Sequence, residues 1–283
     1  MPIPISAMIG PSTDQVVVLL IGLPPTAPNP CSANSVPNMA TTIPMTNTAI
    51  RIPATVASEA MPEISFLDRT RDGYDRTAGG YVTAFQHHLD DKPLDQAMLR
   101  AFTQMVPANH RIIDIGCGTG AATAVLRDQG ADVSGIDLSP NMIAHARRLH
   151  PDIGFATGSM TDLDLPDAAV GGLCAWYSVI HIPDEALPAV FAEFHRILVP
   201  GGVVLLAFQV GDQPRHLTEA FGERVDLLFH RRRPESVAEL LHDAGLAVHA
   251  QLIREPDGDG VESTPQGYLI ARKPAPSAEE PAS

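Results

Sequence analysis

This 283-residue sequence is poor in cysteine, lysine and aromatic side chains, the last at 5%. Its three cysteines, Cys31, Cys117 and Cys174, are odd in number and lack metal-ligand spacing. That excludes a disulfide framework and a zinc cluster, and it fits a reducing, cytoplasmic compartment. Lysine occurs only at Lys92 and Lys273, and 19 basic residues against 33 acidic ones leave a net charge of −14. Such a balance argues against nucleic acid and anionic membranes as partners. No apolar run reaches the roughly 18 residues that span a bilayer. Charge is scarcest at the start, where residues 1–60 carry only Asp14, Arg51 and Glu59 together with 10 of the 26 prolines.

Those scattered prolines interrupt hydrogen bonding and block a packed core, so residues 1–60 are read as disordered. The run Val16–Leu23 is not preceded by Lys or Arg, which argues against a secretion signal. At Met61 charge density rises and helical patterning follows, so the native protein is expected to start either at Met1 or at Met61. With 45% apolar and 18% charged residues overall, the remainder has the composition of one globular domain.

From Leu67 the apolar spacing is helical: Tyr74, Ala78, Tyr81 and Phe85 fall on one face, with Gly79 and Gly80 as a candidate kink. A second helical stripe follows Pro93. Short apolar strands are then expected at Ile112–Ile115, Val133–Ile136, Ile153–Ala156, Leu173–Trp176 and Val203–Phe208. Helices fall between them, one opened by Ser139-Pro140 and another carrying Leu187, Val190, Phe191 and Phe194. A helix over Ser236–Ala244 and two strands, Leu246–Ile253 and Tyr268–Arg272, complete the chain. Alternation of this kind predicts an α/β fold with a parallel sheet that ends in a hairpin.

Asp114-Ile115-Gly116-Cys117-Gly118-Thr119-Gly120 sits where the first strand turns into a helix, the place where doubly wound sheets bind ligands. Asp137, at the end of the second strand, is where an acid holds ribose hydroxyls. Both features suit a dinucleotide as well as other adenosine ligands. Asp114 discriminates, because a pyrophosphate wants helix N–H groups without a nearby carboxylate, whereas a cationic ligand prefers one. The alternative is that Asp114 only anchors the loop.

The loop and the later segments Ile136-Asp137-Leu138-Ser139-Pro140-Asn141-Met142, Gly158-Ser159-Met160, Trp176-Tyr177-Ser178-Val179-Ile180-His181 and Leu198-Val199-Pro200-Gly201-Gly202 resemble, in order and spacing, the motifs of class I S-adenosylmethionine-dependent methyltransferases. The small-molecule branch with a ubiquinone-biosynthesis-like core is the nearest in flavour, and the match covers about residues 67–273. The resemblance implies a Rossmann-like, mostly parallel seven-stranded sheet with helices on both faces, the last strand antiparallel, and an N-terminal helical cap. It implies a methyltransferase domain over 61–274, with a cap at 61–109, a cofactor-binding core at 110–208, an acceptor-pocket insertion at 209–235 and a flexible tail at 275–283.

By the same resemblance S-adenosylmethionine is the cofactor and a small molecule the acceptor. Gly116, Gly118 and Gly120 would line the methionine moiety and ribose beside Asp114. Asp137 would accept the ribose hydroxyls, with Leu138 next to it. Met160 would pack on adenine, with Ser159 near its amino edge in a slot where many relatives carry Asp. Tyr74 and Tyr81 would lie in the covering helix, touching the cofactor carboxylate or simply packing. Trp176 and Tyr177 would form the wall toward the acceptor or belong to the core.

Methyl transfer is an in-line displacement that needs alignment and exclusion of water, and no metal. His181 follows the fourth strand and is the candidate base or acceptor-orienting residue; a loop histidine without chemistry is the alternative. Arg231-Arg232-Arg233 in the insertion is either an anion site or a solvated face. The strand end Trp176-Tyr177-Ser178 lacks the Asn/Asp-Pro-Pro-Tyr/Phe segment of DNA amino-methyltransferases. Neither Cys117 nor Cys174 follows the Pro that a cytosine C5 enzyme needs. An inactive cofactor-binding module and an NAD-dependent oxidoreductase are the remaining classes. The sequence leaves the oligomeric state unknown.

Overall fold

The computed structural model describes residues 65–275 except 259, so the expectations for residues 1–60 and for the final tail lie outside the described residues. Helix α1 (Phe66–Phe85) opens on Ser65, whose hydroxyl accepts the Asp68 N–H at 3.1 Å. The helix runs unbroken through Gly79 and Gly80. Gly80 serves packing: a Cβ there would come within 2.5 Å of Phe221. Helix α2 (Pro93–Met105) follows, with proline in its first turn.

Seven strands form one sheet: β1 (Ile112–Ile115), β2 (Val133–Asp137), β3 (Gly154–Thr157), β4 (Val170–Trp176), β5 (Leu198–Gln209), β8 (Ala247–Arg254) and β9 (Gln266–Arg272). Their order is β3-β2-β1-β4-β5-β9-β8. The first five are parallel, and β9 runs antiparallel between β5 and β8. This is the predicted sheet with its antiparallel last strand. Helices α3 (Ala121–Asp128), α4 (Pro140–Leu149), α5 (Leu187–Ile197) and α6 (Pro234–Asp243) join the strands.

Period-2 alternation sorts the strand side chains onto two faces. Ile113, Ile115, Leu173, Ala175, Val204 and Leu206 pack with Phe191 and Phe194 of α5. Ile112, Cys174, Trp176, Val203 and Leu205 pack with Phe102 of α2 and Leu126 of α3. Chain direction across the sheet reverses between β1 and β4, so their carboxyl ends open a crevice at the switch point.

The insertion forms a separate antiparallel hairpin, β6 (Arg215–Ala220) and β7 (Glu223–Phe229). Its turn is Phe221-Gly222, both left-handed at φ 52° and 78°, as a two-residue I′ connection requires. Leu227 of β7 packs on Gly73 of α1, where a Cβ would come within 2.7 Å of it.

Candidate functional site

The glycine loop connects β1 to α3, with Gly116, Gly118 and Gly120 all in the left-handed region at φ 69°, 54° and 87°. The room beside these glycines differs. A Cβ on Gly116 would lie 2.3 Å from Ser178 Cβ. A Cβ on Gly118 would meet nothing nearer than Tyr81, at 3.9 Å, so Gly118 faces open space.

Asp137 ties this loop to the end of β2. Its two carboxylate oxygens accept the Gly118 N–H at 2.7 Å and the Ser139 N–H at 2.8 Å. Burial pushes its carboxyl up to about 6 against those two hydrogen bonds. Each oxygen accepts one N–H and has a further lone pair to offer. Asp75 of α1, which the sequence did not single out, accepts the Asn141 N–H at 3.1 Å and the Ser139 hydroxyl, fastening α1 to the start of α4.

Asp114 is fully buried. Thr123 donates its hydroxyl to Oδ2 at 2.6 Å, and the Thr123 N–H and the Cys174 thiol also point to this carboxylate, while Oδ1 has no partner within hydrogen-bond geometry among the described residues. Burial pushes this carboxyl up to about 7, with the Thr123 bond opposing and the Asp137 charge adding to the rise. Asp114 lines a recess of about 410 Å³ shared with Thr119, His88, Tyr81 and Trp176. The buried indole Nε1 of Trp176 is likewise unpartnered. Beside the recess there are thus one unsatisfied buried acceptor and one unsatisfied buried donor.

On the other side of the loop lies a larger cleft of about 760 Å³. Asp137, Leu138, Ser159 and Met160 line one part of it, and Tyr74 and His181 another. Tyr81, Trp176 and Tyr177 border both spaces. The structure therefore gathers the candidate cofactor, acceptor and catalytic residues around two openings that share lining residues, except Gly120, which caps α3 and backs onto Phe155; Arg231, Arg232 and Arg233 line neither. The Ser159 hydroxyl is engaged with Thr161, at 2.7 Å from its Oγ1 and 3.2 Å from its N–H.

His181 sits in a 3-10 turn (Val179–His181) after β4 and is buried. Its Nδ1 is 3.0 Å from the Leu228 carbonyl of β7, and its Nε2 is 2.7 Å from the Tyr74 hydroxyl. Burial holds the imidazole down at about 4, so it is neutral near pH 7. Burial also raises Tyr81, up to about 12, and Tyr74 well above the usual phenol value.

Tyr177 has a left-handed backbone at φ 54°. Its hydroxyl meets that of Tyr268 at 3.0 Å; Tyr268 donates to Asp95 at 2.8 Å and accepts from Arg254, which forks onto Glu262. Sequence reading missed this buried chain, because its members come from α2, β8 and β9 and no local spacing links them. Among the three consecutive arginines, Arg232 is buried and donates to the carbonyls of Val179 and Ile182 and to Asp184, clamping the turn that carries His181. Arg233 pairs with Asp212, and Arg231 donates to Ser263.

Residues 112–202 match the family model described as a methyltransferase domain. The malonyl-[acyl-carrier protein] O-methyltransferase of Serratia marcescens is 30% identical over 155 residues, 54% of this chain and 57% of that protein. The demethylmenaquinone methyltransferase of Chlorobaculum tepidum is 38% identical over 93 residues, 32% of this chain and 38% of that protein. The chain thus spans about two fifths to three fifths of these relatives' length. A DhpI structure in complex with SAH aligns over 75% of this chain and 98% of its own, with a TM-score of 0.57 and 24% identity. The magnesium protoporphyrin IX methyltransferase of Synechocystis, solved with bound SAM, aligns over 76% of this chain and 100% of its own, with a TM-score of 0.57 and 16% identity. These structural likenesses concern the fold.

Proposed function

We infer that the chain, which belongs to the class I S-adenosylmethionine-dependent methyltransferases, transfers a methyl group from S-adenosylmethionine to a small-molecule acceptor. The observation that carries this reading is Asp114: a fully buried carboxylate with one oxygen unpartnered, beside a glycine loop open to a recess. A buried carboxylate wants a cation, and the ammonium of the cofactor supplies one. The pyrophosphate of NAD would bring negative charge to the same place. In this reading the Trp176 indole N–H, or Tyr81, meets the cofactor carboxylate.

The spare lone pairs of Asp137 take the ribose hydroxyls, and Leu138, Ser159 and Met160 flank adenine. When bound, the cofactor supplies an electrophilic methyl on a positively charged sulfur. Gly116 and Gly118 permit close approach of the loop backbone. Tyr177, anchored through Tyr268, forms the wall between cofactor and acceptor, and α1 excludes water.

Thermal unfolding with added ligand tests this. At a hundredfold excess over Kd a ligand that binds only the native state stabilises by about 2.7 kcal/mol, or roughly 5–10 °C for a domain of this size. S-adenosylhomocysteine is expected to raise Tm in this range and NAD to leave it unmoved. A rise with NAD and none with S-adenosylhomocysteine would overturn the reading.

A further inference from the structure

Resting on that reading, we propose that the site presents the hydroxyl oxygen of Tyr74 to the methyl acceptor purely as a hydrogen-bond acceptor, and so selects a nucleophile that carries its own hydrogen, a hydroxyl or an amine, over a carboxylate. The polarity follows from two hydrogen-bond distances and the enclosure of the ring. The Leu228 carbonyl has no hydrogen to give, so at 3.0 Å the hydrogen between it and His181 sits on Nδ1. The imidazole is enclosed edge-on by Tyr74 and Phe229, with ring centroids 5.2 and 4.8 Å away, and its burial keeps it neutral. A neutral imidazole with hydrogen on Nδ1 has a bare Nε2. Tyr74, at 2.7 Å from Nε2, must therefore donate its one hydrogen there. What Tyr74 has left for the cleft is lone pairs.

A carboxylate set against that oxygen would bring lone pair against lone pair, which a dry site penalises. A hydroxyl or amine would donate to it.

The same geometry gives the leaving proton a route. As the bond from the acceptor atom to the methyl carbon forms, the methyl–sulfur bond breaks and its electron pair stays on sulfur. The acceptor's proton passes to Tyr74 Oη while the phenolic proton moves to His181 Nε2. The positive charge lost from sulfur reappears on an imidazolium still hydrogen-bonded at Nδ1 to Leu228. The pocket gains no net charge, which is how so dry an imidazole can take the proton. Tyr74, His181 and Leu228 come from α1, the turn after β4 and the hairpin, so the arrangement exists only when all three are docked.

The test uses the full chain and has two readouts. Nitrogen-15 NMR of the histidine rings between about pH 6 and 8 reads the tautomer. His181 is expected with a protonated Nδ1 and a bare Nε2; a hydrogen on Nε2 overturns the proposal. Incubation with methyl-labelled S-adenosylmethionine and a small-molecule extract of the source cells reads the acceptor class. Label that survives alkali as an ether or N-methyl is expected. Label released by alkali as methanol, the mark of a methyl ester, or label on carbon overturns it. Tyr74→Phe and His181→Gln are expected to lower kcat roughly a hundredfold while leaving S-adenosylhomocysteine affinity unchanged, a split that mere misfolding would not give. Wild-type turnover in Tyr74→Phe also overturns it. If S-adenosylhomocysteine fails to bind the wild type, the methyl-transfer reading falls instead.

Discussion

Asp114, fully buried, and Asp137, half-buried, are carboxylates beside the glycine loop, with carboxyl groups raised to about 7 and about 6. Burial dominates both shifts, so the sign is fixed: the folded chain holds protons that the unfolded chain has already lost. Between an unfolded value near 4 and the raised values, stability therefore falls as pH increases. Acidifying the unliganded chain from pH 7 to 5 is expected to narrow the Tm gap between wild type and a more stable Asp114→Asn variant. A gap that widens would contradict this account. A cationic ligand favours the ionised forms, so binding near pH 6 is expected to release protons, measurable by calorimetry in buffers of different ionisation enthalpy. These two acids were legible in the sequence because Asp114 lies just before the glycine loop and Asp137 ends β2 beside an N-cap motif. Asp75 and Asp95 were not, since nothing local marks a helical aspartate that reaches another helix or a buried tyrosine.

Helix α1 forms one side of the cleft and packs on the hairpin β6–β7, a contact that depends on glycine where a helix would favour alanine. Replacing Gly80 by Ala adds about 1 kcal/mol of helix propensity. The new Cβ would lie 2.5 Å from Phe221 Cβ, and overpacking costs typically 1–3 kcal/mol. The net expectation is a Tm lower by a few degrees in Gly80→Ala, with Phe221→Ala costing less in that background than in wild type. An unchanged or raised Tm would show that the hairpin tip yields freely. Helical periodicity located α1 and predicted its span, but read Gly79-Gly80 as a weakness, because a helix–hairpin contact leaves no trace in either segment alone. The hairpin was missed for the same reason. Its alternation in Arg215–Ala220 and Glu223–Phe229 is short, and its turn, Phe221-Gly222, has glycine only in the second position. The βα units were legible because the central strands β1 and β4 are buried on both faces and each helix carries a single apolar stripe.

At the scale of the whole molecule, the order β3-β2-β1-β4-β5-β9-β8 sets the end of β1 beside the ends of β2 and β4. Motifs more than 60 residues apart in sequence, from Asp114 to His181, thereby converge on one crevice. The net charge of −14 reads differently in this light, for Asp114 and Asp137, two of the carboxylates with raised values, are those aimed at the proposed cationic ligand. Among the described residues no helix is long and apolar enough to cross a membrane, and no group of His, Cys, Asp and Glu side chains could hold a metal ion. The most direct test of the central claim is calorimetric titration of the full chain with S-adenosylhomocysteine, repeated on Asp137→Ala. Hydrogen bonds to a charged partner contribute about 1.5–3 kcal/mol each, so losing the ribose contacts is expected to weaken binding by roughly a hundredfold or more. Saturable binding to the wild type that collapses in Asp137→Ala is the result this account requires. No binding to the folded wild type, or equal binding by the variant, would contradict it.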